Sequence, residues 1–236
     1  MRVLALETSG TVASAAVQDD NKLLGEITFN YKKQHSTILM PMIDKLLTSL
    51  DLDIKDMDSI ACSSGPGSFT GLRIGAATAK GLCQGIDKPL IGVPTLDGLA
   101  FNIMYSKGIV CPMIDALRNN VYTCIYRWDR EKLVRLDEYM AVSIDEIIEK
   151  LKNYNEDIIF LGDGAFLHRE ILSKEFSKNA FFAQGNLNMQ KASSICSAAL
   201  IRLREGDVDN YIDFAPFYIR KSQAEREYEN RKGGTK

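Results

Sequence analysis

Glycine, serine and threonine crowd the stretch SSGPGSFTGLRIG at 63–75, between an apolar run (SIAC, from residue 59) and a small-residue helical pattern from Thr70 to about residue 85. A strand-to-helix turn of this composition can present unpaired backbone N–H groups to a phosphate. The spacing completes neither phosphate signature. Gly65 is followed five positions on by Thr70, with no Gly-Lys-Ser/Thr to reach phosphate and magnesium, and GPGSFTG has one residue too many for the dinucleotide fingerprint. What the stretch does supply is backbone freedom at Gly65 and Gly67, a rigid turn at Pro66, and Ser68 or Thr70 as a helix cap. Beyond it, Gly71, Gly75 and Ala79 recur every four residues, beside Leu72, and leave a groove into which another backbone can press. Packing is their first role, and anion binding at the helix start is the second.

Two further places could meet an anion. Glu7, Thr8, Ser9 and Gly10 end the first apolar run and turn the chain, and Gly162, Asp163 and Gly164 sit in a GDGA loop. Together with Gly65, Gly67 and Ser68 they are the candidate phosphate contacts, although turn chemistry alone accounts for the same residue types. Catalytic equipment is sparse. His35 and His168 lie far apart without H-x-x-x-H or H-E-x-x-H spacing, so a zinc or iron peptidase site is excluded. No G-x-S-x-G elbow frames Ser63, Ser64 or Ser68. The five cysteines are an odd set with no C-x-x-C, which reads as reduced core residues. The expectation is no metal and no catalytic residue.

These residues need elements to hold them. The 236 residues, 45% hydrophobic, suffice for one large core or two small ones. The first part reads as strands VLALET, ASAAV and KLLGEITF, a helix over 36–50, strand SIACSS, the glycine loop and a second helix. From residue 108 the order repeats: IVCPMID, VYTCIY, KLVRLDE, a helix over 144–154, DIIFLG, the GDGA loop and a helix over 166–176. In this register KLLGE at 22–26 matches KLVRLDE at 132–138, and the turn after Asp115 offers Arg118, Asn119 and Asn120. A duplicated β-β-β-α-β-α unit implies an α/β protein with two domains and the actin-like ATPase (ASKHA) fold. The boundaries expected are 1–106, 107–223 and a polar, disordered tail at 224–236. A formal net charge of −2 gives no overall attraction to nucleic acid. The opening MRVLALETSG is broken too early by Glu7 for a signal peptide, and no run of 18 apolar residues occurs, so a cytoplasmic chain without membrane contact is expected.

ALETSG at 5–10, QHSTILMPMI at 34–43, SSGPGSFTGLRIG, DALRNNVY at 115–122, GDGA and FYIRKSQAE at 217–225 together resemble the TsaB (YeaZ) family of bacterial partner proteins in tRNA threonylcarbamoyladenosine synthesis. The motifs cover nearly the whole chain. The resemblance implies a complex with the catalytic subunit TsaD and the ATPase TsaE, with tRNA reached through that complex, and a homodimer when the chain is isolated. It implies no nucleotide bound by the chain alone and places ATP or ADP at the partner interface. TsaD carries a metal-binding N-H-L-E-G-H segment, and the matching GVPTLDGLAF here puts Thr95 and Leu99 where the two histidines stand. That implies a catalytically silent relative that scaffolds TsaD. The wide apolar surface of the helix over 36–50, with Leu39, Ile43 and Leu46, joins Leu72, Gly75 and Ala79 as the partner interface that the resemblance implies. The alternative from a different class is a free-standing actin-fold ATPase or small-molecule kinase, which would turn over ATP alone.

Overall fold

A computed structural model describes residues 1–20, 22–30 and 34–220. The first half runs β1 (Arg2–Glu7), β2 (Ala13–Asp19), β3 (Leu23–Phe29), α1 (His35–Ser49), β4 (Ser59–Gly65), α2 (Phe69–Ile86), β5 (Leu90–Pro94) and α3 (Thr95–Ala100). Its five strands lie in the order β3-β2-β1-β4-β5, with β1–β2 and β2–β3 antiparallel and β1–β4 and β4–β5 parallel. Period-2 alternation decides what each face buries. Leu4 and Leu6 of β1, with Ile60 and Cys62 of β4, point to α1 and α2, where Leu39, Ile43, Leu46 and Cys83 complete one core. Val3, Ala5 and Ala61 point to the opposite face.

The second half continues with β6 (Ile109–Asp115), β7 (Asn120–Thr123), β8 (Tyr126–Asp129), β9 (Lys132–Arg135), β10 (Met140–Ser143), α4 (Ile144–Leu151), β11 (Ile158–Leu161), α5 (Asp163–Leu167), α6 (Arg169–Phe176), β12 (Ala180–Phe182) and α7 (Ala192–Arg204). The order β10-β7-β6-β11-β12 repeats that of the first sheet, while β8 pairs with β6 and β9 off this path. Along β6 the alternation recurs. Ile109, Cys111 and Met113 face one core with Ile144, Ile147 and Ile148 of α4. Val110 and Ile114 face another. The duplicated actin-like arrangement is therefore present.

Three details differ from the sequence reading. VYTCIY is two strands: β7 joins β10 and β6, whereas β8 pairs with the start of β6 and with β9. The counterpart of β3 is consequently β10, paired antiparallel with β7, and KLVRLDE forms an added hairpin with β8. The helix expected over 166–176 starts earlier and divides at His168.

The boundary at residue 107 separates the sheets but not the cores. Helix α7 lies on the outer face of the first sheet, where Ala192, Ile195, Cys196 and Ala199 meet Val3, Ala5, Ala16 and Ala61. Small residues on both sides let helix and sheet approach closely. Reciprocally, Leu96, Leu99 and Ala100 of α3 pack with Val110, Tyr122, Tyr126 and Leu161 of the second sheet. After α7 the chain stays on the first lobe, where Asp209 bridges Leu90 and Lys80 Nζ donates to the carbonyls of Ile212 and Phe214. The Phe217 N–H donates to the Ser64 carbonyl at 2.9 Å, Tyr218 stacks on Phe69, and Arg220 donates to the Ala116 carbonyl of the second lobe. The segment is a strap across both halves. The tail expected at 224–236 lies outside the described residues.

Candidate functional site

The β1–β2 turn and the glycine loop form one unit. Ser68 caps α2 by accepting from the Gly71 N–H, and its own N–H donates to the Ser9 carbonyl at 2.7 Å. The Thr8 hydroxyl donates to the Gly71 carbonyl at 2.8 Å. A Cβ on Gly71 would lie 2.0 Å from the Thr8 carbonyl oxygen, and one on Gly75 would lie 2.4 Å from the Thr8 hydroxyl. At Gly67 the obstacle is the Ser9 carbonyl, 2.4 Å away. Gly65, at φ +113°, leaves room for the Phe217 carbonyl. The glycines therefore admit the chain's own hairpin and strap.

This corrects the expected partner face. Leu39, Ile43, Leu46, Leu72 and Ala79 are each no more than 3% exposed and Gly75 is buried, all within the first lobe. A 15-residue helix with paired apolar rows fills a sheet-facing core before it has any surface to offer. The solvent side of the same helix pair carries Thr37, Met40, Pro41 and Asp44 on α1, and Arg73, Ala77, Gly81, Gln84 and Gly85 on α2. Met40 is 48% exposed, and a Cβ on Gly81 or Gly85 would meet nothing within 4 Å. The residues expected at a partner face are thus core residues of the first lobe, and other residues form the solvent side of the two helices.

Below the turn lies a buried polar floor. Glu7 accepts from the Ser9 N–H at 2.6 Å, and burial pushes its carboxyl above the ordinary value of 4.5, opposed by its Ser9 contacts. The Ser9 and Ser63 hydroxyls are buried against the Glu7 carboxyl, and Gln190 Nε2 is buried without a hydrogen-bond partner among the described residues. His35 Nε2 meets the Gly10 carbonyl at 3.0 Å. Because folding favours the protonated Glu7, its contribution is fully present below pH 4.5 and is lost between that pH and the raised folded value. Glu7→Gln keeps the acceptor for Ser9 and removes the buried charge. The variant is expected to have a higher denaturation midpoint at neutral pH and a flatter stability profile above pH 4.5, read by urea titration across pH.

Across the cleft, Gly162 sits at φ +100° with the Met113 carbonyl 2.1 Å from where a Cβ would stand, and Gly164 packs on Ile114. The Gly162 N–H donates to Asn188 Oδ1 at 2.8 Å, and Asp163 Oδ1 accepts from Asp115 and Gly164. Asn102 fixes this connecting segment by donating to the carbonyls of Leu187 and Met189. Gln190 then reaches Gly10, and the Ala192 N–H donates to Ser14. Segment 187–191 thus joins the GDGA loop to the first hairpin. No glycine or helix signal marks Asn102 or Asn188, and sequence reasoning missed both.

Thr95 and Leu99 lie one turn apart on α3, 0% and 1% exposed. Leu99 packs in the second lobe's core and touches the GDGA loop, and the Thr95 hydroxyl has no partner among the described residues. No group of three or more His, Cys, Asp or Glu among the described residues is placed to hold a metal ion. All five cysteines are free and buried, and burial pushes Cys83, Cys111 and Cys124 up to about 12 and the other two further, so none is a thiolate at neutral pH. Among the described residues no helix is long and apolar enough to cross a membrane.

Comparison with known proteins is consistent in direction. The family model described as TsaD, tRNA N6-adenosine threonylcarbamoyltransferase, matches residues 22–228. The tRNA threonylcarbamoyladenosine biosynthesis protein TsaB of Bacillus subtilis is 28% identical over 228 residues, 97% of this chain and 98% of that protein. The same-named protein of Buchnera aphidicola subsp. Schizaphis graminum is 32% identical over 170 residues, 69% of this chain and 78% of its own length. Among solved structures, YeaZ from Pseudomonas aeruginosa superposes with a TM-score of 0.79 at 22% identity, over 92% of this chain and 99% of that one, which speaks to the fold. By the span of the family match and the identity to these relatives, the chain belongs to the TsaB (YeaZ) family, among proteins related to the TsaD transferases.

Proposed function

We propose that this chain acts in tRNA threonylcarbamoyladenosine biosynthesis as a non-catalytic scaffold subunit, docking a TsaD transferase through the solvent side of α1 and α2. The observation that carries the reading is the surface of α2, where the exposed small residues Ala77, Gly81 and Gly85 recur every four residues and leave a shallow strip, while Met40 is exposed on α1. Small residues there allow a partner helix to approach at the short end of the usual 8–10 Å separation. The TsaE ATPase joins the complex, tRNA is reached through it, and ATP or ADP sits at the partner interface. Without TsaD the same strip pairs two copies of the chain.

Silence in catalysis is supported by α3. Metal-assisted transfer needs about three ligands in fixed geometry, and a buried threonine and leucine stand at the two histidine positions. Thr95→Ala and Leu99→Ala are expected to leave the partner's metal content and the chemical step unchanged, whereas Leu99→Ala loses about 2–5 kcal/mol of stability. Single-turnover transfer to tRNA by the reconstituted complex checks the first statement, and denaturation of the free chain checks the second. A large rate loss from Thr95→Ala with assembly intact would place this chain in the chemistry.

The deciding experiment mixes the purified chain with TsaD and TsaE and follows complex formation and tRNA modification with and without it. A scaffold raises modification only through the complex. Turnover of ATP by the chain alone, at rates of about 1 per second or faster, would favour a free-standing actin-fold ATPase or kinase instead.

A further inference from the structure

A cavity of about 660 Å³ opens at the other end of α7 from the polar floor, between the start of α3, the C-terminal half of α7 and the β8–β9 hairpin. Its size suits a small ligand. Val93, Phe101, Leu133 and Ile201 give it an apolar wall contributed by both lobes and by α7. Asp97 is the fixed acceptor within it. Its Oδ1 accepts from the Tyr126 hydroxyl at 2.5 Å and the Tyr139 hydroxyl at 2.8 Å, and its Oδ2 takes no donor among the described residues.

The cations that line the cavity are not equivalent. Arg202 is held by Asp207 and the Gly92 carbonyl, Arg204 by Asp20, and Lys132 stands exposed at the start of β9, three residues farther toward the hairpin tip than Arg135. Arg135 lies over the face of Tyr139, 4.6 Å from the ring centre, and Glu138 at 3.7 Å is its only ion-pair partner among the described residues. Tyr139 therefore holds a carboxylate at its hydroxyl and a guanidinium on its face. Glu131 and Glu205 stand at the rim and disfavour a purely anionic ligand. Burial raises the Asp97 carboxyl, which a bound cation would offset.

We propose that this cavity binds a small zwitterion with an apolar body, of the apolar α-amino acid class. The ligand ammonium donates to Asp97, its carboxylate accepts from Arg135, and its side chain lies on the Phe101, Leu133 and Ile201 wall. Paired recognition of both charges selects a free amino acid over a simple amine or acid, because the amine leaves Arg135 without its counterpart and the acid leaves Asp97 without its own. A bound ligand touches residues of both halves and so favours the lobe orientation in which they meet.

The chain carries its own reporter. Trp128 is the single tryptophan, and its ring stands edge-on to Phe101 with centroids 5.0 Å apart. Titrating the full chain with L-phenylalanine, with excitation of the tryptophan alone, is expected to give a saturable change in emission in the millimolar range or below. L-Phenylalaninamide, without the carboxylate, and 3-phenylpropionate, without the ammonium, are each expected to bind about tenfold more weakly. Asp97→Asn retains an acceptor for both tyrosines, Arg135→Gln alters an exposed side chain, and each is expected to weaken L-phenylalanine about tenfold or more. Asp97→Asn should also abolish the preference for L-phenylalanine over 3-phenylpropionate. If Asp97→Asn does not fold, Arg135→Gln and the two comparators on the unmodified chain decide. No saturable response from the unmodified chain, equal binding of all three compounds, or folded variants that bind normally would each overturn the proposal.

Discussion

Gly71→Ala is expected to destabilise the protein by about 3 kcal/mol or more, although alanine is the better helix former. The added methyl would stand 2.0 Å from the Thr8 carbonyl oxygen and 3.2 Å from its carbon. Neither side can yield cheaply. The β1–β2 turn is fixed to the same loop by the Ser68–Ser9 and Thr8–Gly71 hydrogen bonds, and β1 is a central strand buried on both faces. Gly85→Ala is the internal control. Its methyl meets nothing within 4 Å, so the helix-propensity gain of about 0.5–1 kcal/mol is unopposed. Two glycine-to-alanine changes in one helix should thus move the urea midpoint in opposite directions. Equal midpoints for Gly71→Ala and the unmodified chain would mean that the turn relaxes freely.

Gly81→Leu is expected to separate partner binding from folding. The position is exposed and open, inside an 18-residue helix, so leucine should stabilise the free chain by up to about 1 kcal/mol. The same side chain would hold a docking helix away from the small-residue strip, and affinity for TsaD is expected to fall at least about tenfold, a loss of about 1.4 kcal/mol or more. Calorimetric titration with TsaD, beside thermal unfolding of the free variant, reads both halves of the statement. Unchanged affinity would move the docking surface elsewhere. Leu46→Glu is the contrasting case, since it places a charge in the first lobe's core and disrupts folding, so its effect on assembly would carry no information about the surface.

Much of the frame was legible because local signals and tertiary environment agree. VLALET alternates between two cores, Ser68 caps the helix it precedes, and the four-residue spacing of Gly71, Gly75 and Ala79 marks a close contact that exists. What it contacts was not legible, because a groove of small residues reads the same whether the incoming backbone belongs to a partner or to Thr8. The β7–β8 break was hidden for a similar reason. Cys124 and Ile125 are buried and continue the apolar pattern through the bend, so VYTCIY shows one strand's worth of periodicity. KLVRLDE alternates as KLLGEITF does, and only pairing assigns the role of β3 to Met140–Ser143. The Asn188 contact to Gly162 and the Asp97 pair of tyrosines join residues 26 to 42 positions apart and leave no local trace.

The exchange of helices between the halves sets an order on the chain's birth. Leaving the ribosome, the first hundred residues carry a sheet whose Val3, Ala5, Ala16, Ala61, Ile91 and Val93 await a cover that is not translated until residues 192–204. The segment synthesised first is therefore completed last, and the usual picture of an amino-terminal unit folding before its successor emerges does not apply. Meanwhile α3 is available early and can seed the second sheet as soon as β6 appears. A nascent chain halted before α7 exposes a broad apolar face to chaperones and neighbouring chains, so termination ahead of residues 192–204 leaves the first half without its cover.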